Sequence, residues 1–301
     1  MFRKLKPWIS AFRLRTLPLS VSGIILGTSF AFYNGKFSYW VLGLAILTTV
    51  ALQILSNLAN DYGDSANGAD NDDRVGPMRA VQSGDITPEE MMEAIKFNVV
   101  LVIMFTVCLI WGAFGPTNFL FLLLFLFLGG LAMYAALNYT MGESPYGYRA
   151  LGDVFVFVFF GLVSTIGSYV LYRHTVDHLV ILPAISLGLL SVGVLNLNNM
   201  RDIKSDENSG KITLAVKLGL SKAKKYHFLL VGGAMLMAVL FCVFYYVSYF
   251  NLLFLIAFLP FTIHLLKIKA AKQPSDFDSQ LKVLALSTFL FSILLGIGYI
   301  L

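Results

Sequence analysis

The stretch NLANDYGDSANGADNDDR, Asn57 to Arg74, places five aspartates between two long apolar segments, at about 38–60 and 92–113. Read outward from there, the chain of 301 residues is 57% hydrophobic and only 13% charged, roughly half the charged share of a soluble globular domain. Its mean hydropathy is +0.76. Runs long enough to cross a bilayer core, which takes roughly 20 residues each, fall at 17–34, 38–60, 92–113, 117–138, 151–172, 178–198, 226–248, 250–268 and 283–301. The pattern predicts an all-α integral membrane protein with nine transmembrane helices in one bundle.

The opening MFRKLKPWISAFRLR mixes Trp8, Ile9 and Phe12 with Arg3, Lys4, Lys6, Arg13 and Arg15. Residues 1–15 read either as a short interfacial helix in the headgroup region or as a plain cationic anchor. The later spans argue against a cleaved secretory signal. With the N-terminus inside, every one of the 22 Lys and Arg except Lys36 and Arg173 falls on inner loops, so the positive-inside rule places the N-terminus in the cytoplasm and the C-terminus outside. Of the 17 Asp and Glu only Asp177 lies outside. The net charge of +5 follows from this sorting and fits anionic lipid headgroups, not nucleic acid. Cys108 and Cys242 sit mid-span as packing residues, and the histidines show no paired spacing.

No polar linker separates two soluble domains, so residues 1–301 read as one domain. An internal echo is present: NLANDYGD at Asn57 closes the second span and NLNNMRDIKSD at Asn196 closes the sixth. Four spans per copy, plus one, make a parallel pseudo-repeat whose copies emerge on the same face. Inner loops at 61–91 and 203–225 follow these ends. The first carries Gly and Pro breakers and finishes in TPEEMMEAI, a helix start with Thr87 as cap, Pro88 at the first position and Glu89 and Glu90 in the first turn.

If the second span stays helical to that point, Asn57, Asn60, Asp61 and Asp64 share one face, as do Asn198, Asp202 and Asp206 beyond the sixth. Crowded carboxylates repel unless cations intervene, and hard oxygen ligands with room for water suit Mg²⁺, which is usually held by one or two carboxylates plus substrate phosphates. Arg74 and Arg79 follow the first stripe, Arg201 and Lys204 lie within the second, and Lys211 follows it. Arg and Lys suit phosphate oxygens. Acids and bases together describe a diphosphate clamp.

Asp and Asn at helix ends also serve as plain caps, but the repetition of the stripe argues for a site; for Asp70, Asp72 and Asp73, off the helix face, solvated loop and function stay open. The other spans are dense in Phe, 26 in all, with no charge near their middles apart from Asp153 just inside the fifth. The ligand is then a lipid with a diphosphate head. A divalent-cation or phosphate transporter is a different class of reading, yet its site belongs near the bilayer middle.

These residues resemble the UbiA-type intramembrane prenyltransferases, and more closely the branch acting on 1,4-dihydroxy-2-naphthoate in menaquinone synthesis. The resemblance rests on RTLPLS at Arg15, NLANDYGDSANGAD with GPMRAVQSG, NYTMGESPYGYRALGD at Asn138 and NNMRDIKSDENSGKITLAVKLG at Asn199. The superfamily's first motif ends in Asp where this chain has Gly68, with Asp70 two residues on.

The resemblance implies Mg²⁺ as cofactor on Asn60, Asp61, Asp64, Asp202 and Asp206, the four aspartates being catalytic. It implies a diphosphate bound by Asn57, Arg74, Arg79, Asn198, Arg201, Lys204 and Lys211, with Tyr139 and the PYGY turn through Tyr148 on the acceptor side. The implied partners are polyprenyl diphosphate, 1,4-dihydroxy-2-naphthoate and the lipid bilayer, and the product is demethylmenaquinone; another aromatic acceptor such as 4-hydroxybenzoate is the alternative. A bacterial-type inner membrane location follows from the same resemblance.

Overall fold

The computed structural model describes residues 5–70, 74–116 and 118–301. Arg3 and Lys4 of the cationic start, Asp72 and Asp73 of the acidic loop, and residue 117 at the head of the fourth span lie outside the described residues.

Among the described residues nine helical segments are long and apolar enough to cross a membrane. The first joins α1 (Leu5–Phe12) to α2 (Leu17–Tyr33) through a single 3₁₀ turn, Leu14–Thr16. The next three are α3 (Tyr39–Ala66), α4 (Pro88–Phe114) and α5 (Phe119–Asn138). The fifth is composite: α6 (Gly152–Val156), a π-helix (Phe157–Gly167) and α7 (Ser168–Arg173). Then come α8 (Ile181–Arg201), the short α9 (Ile203–Asn208) and α10 (Leu214–Phe244). A 3₁₀ segment (Tyr249–Ala257) leads into α11 (Phe258–Ala270), and α12 (Ser275–Ile300) closes the chain.

Local chemistry explains several boundaries. Thr87 and Glu90 form a capping box on either side of Pro88, as the TPEE sequence leads one to expect. Ser38 and Thr213 cap α3 and α10 through Val41 N–H and Val216 N–H. The seventh span departs from expectation, since α10 begins at Leu214 and not at 226. Its first turns carry Lys217, Lys222, Lys224 and Lys225, charges that hide a helix from a hydropathy scan, and a kink at Gly219, φ 71°, falls between Lys217 and the other three.

Small residues bring helices close where the core is deepest. At Gly161, on the π-helix, an added Cβ would lie 2.5 Å from Gly188 Cα on α8, so the two backbones touch, as is common between helices in lipid. Phe30 meets Phe241 and Tyr299 edge-on at 5.4 and 5.5 Å between ring centroids. His227 and His264, 37 residues apart, face each other at 2.8 Å with Gln280 on the far side of His264; they join α10, α11 and α12, a pairing no local spacing reveals. The outside is apolar: Leu120 and Phe127 are 78% and 63% exposed, and Ala135 is the one buried residue of α5.

Candidate active site

Because α3 runs unbroken to Ala66, Asn57, Asn60, Asp61 and Asp64 stand on one helix end. On the other side α8 stops at Arg201, and Asp202 (φ −97°, ψ 12°) makes a one-residue bend before α9. Helical spacing survives the bend, since Asp202 N–H donates to Asn198 O and Asp206 N–H to Asp202 O. The two ends meet. Lys211 Nζ donates to both oxygens of Asp64 at 3.1 and 3.2 Å, Ser205 Oγ donates to Ala69 O at 3.1 Å, and Arg74 Nε lies 3.9 Å from Asp202 Oδ2.

The junction is a wall of buried ion pairs. Asp64, 1% exposed, also accepts from Arg79 Nη1 at 2.7 Å and from the Tyr148 hydroxyl at 3.0 Å. Lys211 Nζ is 3.8 Å from Asp206 Oδ1 and lies over the Tyr148 ring. Arg201 gives Nε and Nη2 to Asp202, Nη1 to Asp278 and Nη2 to Asn198. Asp70 lies 3.1 Å from Arg79 Nε and 3.5 Å from Arg74 Nε, yet neither of its oxygens is aligned for a hydrogen bond.

Burial penalises each charge here, and the partners decide the outcome. Burial works against the cations of Arg79 and Lys211, but the Asp64 carboxylate outweighs it and holds both above their usual range. Asp202 is likewise held below its usual value, by the Arg201 hydrogen bonds that offset burial. Asp206, with only a 3.8 Å ion-pair approach, is pushed up to about 7 by burial. Asp70 is raised by burial, Arg74 lowered by it, and Tyr148 is raised by burial and by Asp64, so its phenol stays a donor.

Two cavities flank this wall. One, of about 310 Å³, is almost wholly apolar and has Asn60 and Tyr139 among its lining residues, with Phe125, Phe155, Phe159 and Phe160 along its length. The other, of about 280 Å³, is polar and bounded by Asp61, Arg74, Arg79, Asn198, Arg201 and the segment Ile9–Arg15. Asn60 joins wall and apolar cavity, since its carbonyl accepts from Arg79 Nη1 at 2.7 Å.

Whether these residues suit a metal turns on which oxygens are free. Among the described residues no group of three or more His, Cys, Asp or Glu is gathered closely enough to hold an ion alone. Buried oxygens without partners do exist, at Asp61 Oδ1 and on Asp70, beside Asp64, Asp202 and Asp206. This donor set fits Mg²⁺ carried in with phosphate ligands and not a closed protein cage.

Not every predicted residue faces these spaces. The Asn57 amide donates to Phe12 O at 2.9 Å and to Thr16 Oγ1 at 3.3 Å, tying the N-terminal segment to α3. Lys204 is exposed on α9 and outside both cavities. Tyr139 lines the apolar cavity, while Tyr148 belongs to the ion-pair wall.

Other residues were not singled out from sequence. Asp278 reaches Arg201 from α12, 77 residues away. Thr140 donates to Ala59 O and Asn60 Oδ1, and a Cβ on Gly63 would lie 2.6 Å from Thr140 O. Arg13 lines the polar pocket. For Arg13 the cation-rich opening segment, with its Arg13-Leu14-Arg15, was the available signal; for Asp278 there was none.

Comparison with known proteins agrees with this architecture. The model of the UbiA prenyltransferase family matches residues 20–299. The chain is 46% identical over 250 residues to the 1,4-dihydroxy-2-naphthoate octaprenyltransferase of Escherichia coli (strain K12), covering 83% of this chain and 80% of that one. It is 40% identical over 301 residues to the enzyme of the same name from Haemophilus influenzae, covering 98% and 96%. A UbiA homolog from Archaeoglobus fulgidus bound to GPP and Mg²⁺ shares the fold at a TM-score of 0.64 and 15% identity, over 96% of this chain and 99% of that one. On the family match and these two relatives, the chain belongs to the UbiA prenyltransferase family.

Proposed function

We propose that this chain transfers a polyprenyl group from polyprenyl diphosphate to 1,4-dihydroxy-2-naphthoate, releasing diphosphate and carbon dioxide and giving demethylmenaquinol, which oxidises to demethylmenaquinone. One observation carries the reading: two acidic helix ends, cross-linked by Lys211 and Asp64, abut an apolar cavity through Asn60. A charged wall beside a greasy tunnel matches a ligand with a diphosphate head and a hydrocarbon tail. The names of the relatives support the naphthoate as acceptor. The work is done at the cytoplasmic face of a bacterial-type inner membrane, with the connection from α3 to α4, and α9 with the start of α10 in place of the expected loop 203–225, around the site.

Asn60, Asp61, Asp64, Asp202 and Asp206 would hold Mg²⁺, which when bound neutralises the diphosphate and makes it a better leaving group. Arg74, Arg79, Arg201 and Lys211 are cations already directed at the same junction. As a diphosphate arrives, they exchange carboxylate partners for phosphate oxygens and spread the charge that grows as the C–O bond breaks. The allylic cation left behind is delocalised and survives only where water is excluded. The cavity supplies that, with the π faces of Tyr139, Tyr146 and Phe155 along its wall. Attack by the electron-rich ring carbon forms the new C–C bond, and loss of the carboxylate as carbon dioxide restores the aromatic ring.

The test is product analysis with purified protein. Wild type given 1,4-dihydroxy-2-naphthoate and polyprenyl diphosphate with Mg²⁺ yields the prenylated quinone by mass spectrometry, and Asp64→Ala or Asp202→Ala loses it. Full turnover in both variants, or product only with 4-hydroxybenzoate, overturns the reading.

A further inference from the structure

The hold of Arg201 on Asp202 stands in the way of an arriving diphosphate. Nε donates to Oδ1 at 2.9 Å and Nη2 to Oδ2 at 2.7 Å, so both oxygens of this acid are engaged by its neighbour in the chain. The two residues are 2% and 5% exposed. Each has its own task at a diphosphate, the carboxylate toward the metal and the guanidinium toward phosphate oxygens, and neither takes it up until the pair opens. Opening a buried pair leaves a cation without a counter-charge, which is strongly unfavourable. A third group has to keep Arg201 balanced meanwhile.

Asp278 is placed for this. Its Oδ1 accepts from Arg201 Nη1 at 2.7 Å, a different corner of the guanidinium from the Nε and Nη2 edge that Asp202 occupies. It belongs to neither acidic helix end and is not among the oxygens that suit Mg²⁺. An acid in the first turn of α12 is favourable beside the helix N-terminus whatever it touches, but two observations go beyond that plain reason. Asp276 already serves the helix start, its Oδ2 accepting from Lys272 N–H at 2.8 Å and from Gln273 N–H at 2.9 Å. Lys282 stands one turn further along α12, the ordinary helical partner, yet Asp278 reaches off its own helix to the end of α8.

The edge that Asp278 leaves free points where a phosphate would be met twice. A Cβ on Gly76 would lie 2.8 Å from Arg201 Nη2 and 2.9 Å from Arg74 Nη2, so two guanidinium groups converge over a residue with no side chain, beside the polar cavity that both arginines line. Asp202 Oδ2 is near both, 2.7 Å from Arg201 Nη2 and 3.9 Å from Arg74 Nε. Phosphate oxygens that replace this carboxylate inherit the two donors. We infer that Asp278 is a positioning residue for the diphosphate: it holds Arg201 by Nη1 while the Nε and Nη2 edge passes from Asp202 to phosphate oxygens, and so releases Asp202. This rests on the diphosphate site proposed above and gives the ninth span, which carries neither acidic stripe, a part in it.

The probe for the test is inorganic pyrophosphate with Mg²⁺, titrated calorimetrically into the purified full-length protein in detergent, with no acceptor and no prenyl chain present. Asp278→Asn keeps an oxygen for the hydrogen bond and removes the charge, and Asp278→Glu keeps the charge. We expect Asp278→Asn to bind the probe at least about tenfold more weakly, a factor within reach of one charged hydrogen bond, and Asp278→Glu to recover most of the affinity. In an Arg201→Gln background the further change to Asp278→Asn should alter binding by less than about twofold, because residues that act through one another are not additive. In steady-state assays Asp278→Asn raises KM for the polyprenyl diphosphate and leaves KM for the naphthoate unchanged. Unchanged or tighter probe binding in Asp278→Asn, the sign expected of a plain negative charge near an anion, overturns the inference. So does an equal loss in the Arg201→Gln background, the mark of an acid that serves α12 alone. A wild type that binds no pyrophosphate removes the diphosphate site itself and the part of Asp278 with it, so the two failures are told apart.

Discussion

Lys211 Nζ lies 3.1 Å from Asp64 Oδ1 although 147 residues separate them, so the loop after the sixth span bonds the helix of the second. Lys211→Met removes that cation while keeping the length of the stem. Asp64 retains Arg79 and Tyr148, so the fold should survive with a lowered melting temperature. We expect kcat/KM to fall about 100-fold, the scale of losing one directed charge donor. Steady-state kinetics beside thermal unfolding in detergent measure both, and unchanged kinetics would remove Lys211 from the chemistry.

Metal uptake should depend on pH through Asp206. Burial lifts its carboxyl from 3.8 to about 7, with Lys211 and Arg79 lowering it and Asp202 and Asp64 raising it. Only the carboxylate is a ligand, so Mg²⁺-dependent binding of a prenyl diphosphate weakens as pH drops below about 7. Without metal the sign for stability is opposite: the folded chain keeps a proton that the unfolded chain has released, so this contribution is full below about 4 and is lost as pH rises through 7. Calorimetric titrations at pH 6, 7 and 8 check the first expectation, and Asp206→Asn should flatten both trends.

Gly63 has no room for a methyl group. An alanine Cβ would stand 2.6 Å from the Thr140 carbonyl oxygen, which is backbone and cannot swing aside. Gly63→Ala should therefore cost about 1–3 kcal/mol, as overpacking does, and disturb Asn60 through Thr140. A melting curve superimposable on wild type would contradict the close approach.

Ala136 lines the apolar cavity. Ala136→Phe narrows it, so KM should rise steeply with isoprenoid length while Mg²⁺ affinity stays as it was. A length series of polyprenyl diphosphates gives the comparison, and equal KM values across it would place the tail elsewhere.

The helices were legible because lipid demands long unbroken apolar runs, and the Asn57 and Asn196 segments were legible because ionisable groups at a membrane edge are expensive to keep there without use. Three features were not. Leu214–Lys225 is helix but charged, which hydropathy scores as loop. Asn57 shares the helical face of Asn60 and Asp61, and periodicity cannot say that its amide is taken by Phe12 and Thr16. Lys204 stands two residues from Asp202 and from Asp206, about 200° round a helix, so nearness in sequence to the acidic stripe does not bring it to the same face and it lies exposed.

The wall of α5 around Ala135 has a consequence for traffic. A barrier only one helix thick separates the stored tail from the surrounding acyl chains, and hydrocarbon exchanged for hydrocarbon gains or loses little. Retention of a long-tailed molecule is then governed by its head, so once the diphosphate is gone the quinol has no anchor left, and however many isoprene units it drags, departure sideways into the leaflet is close to thermoneutral.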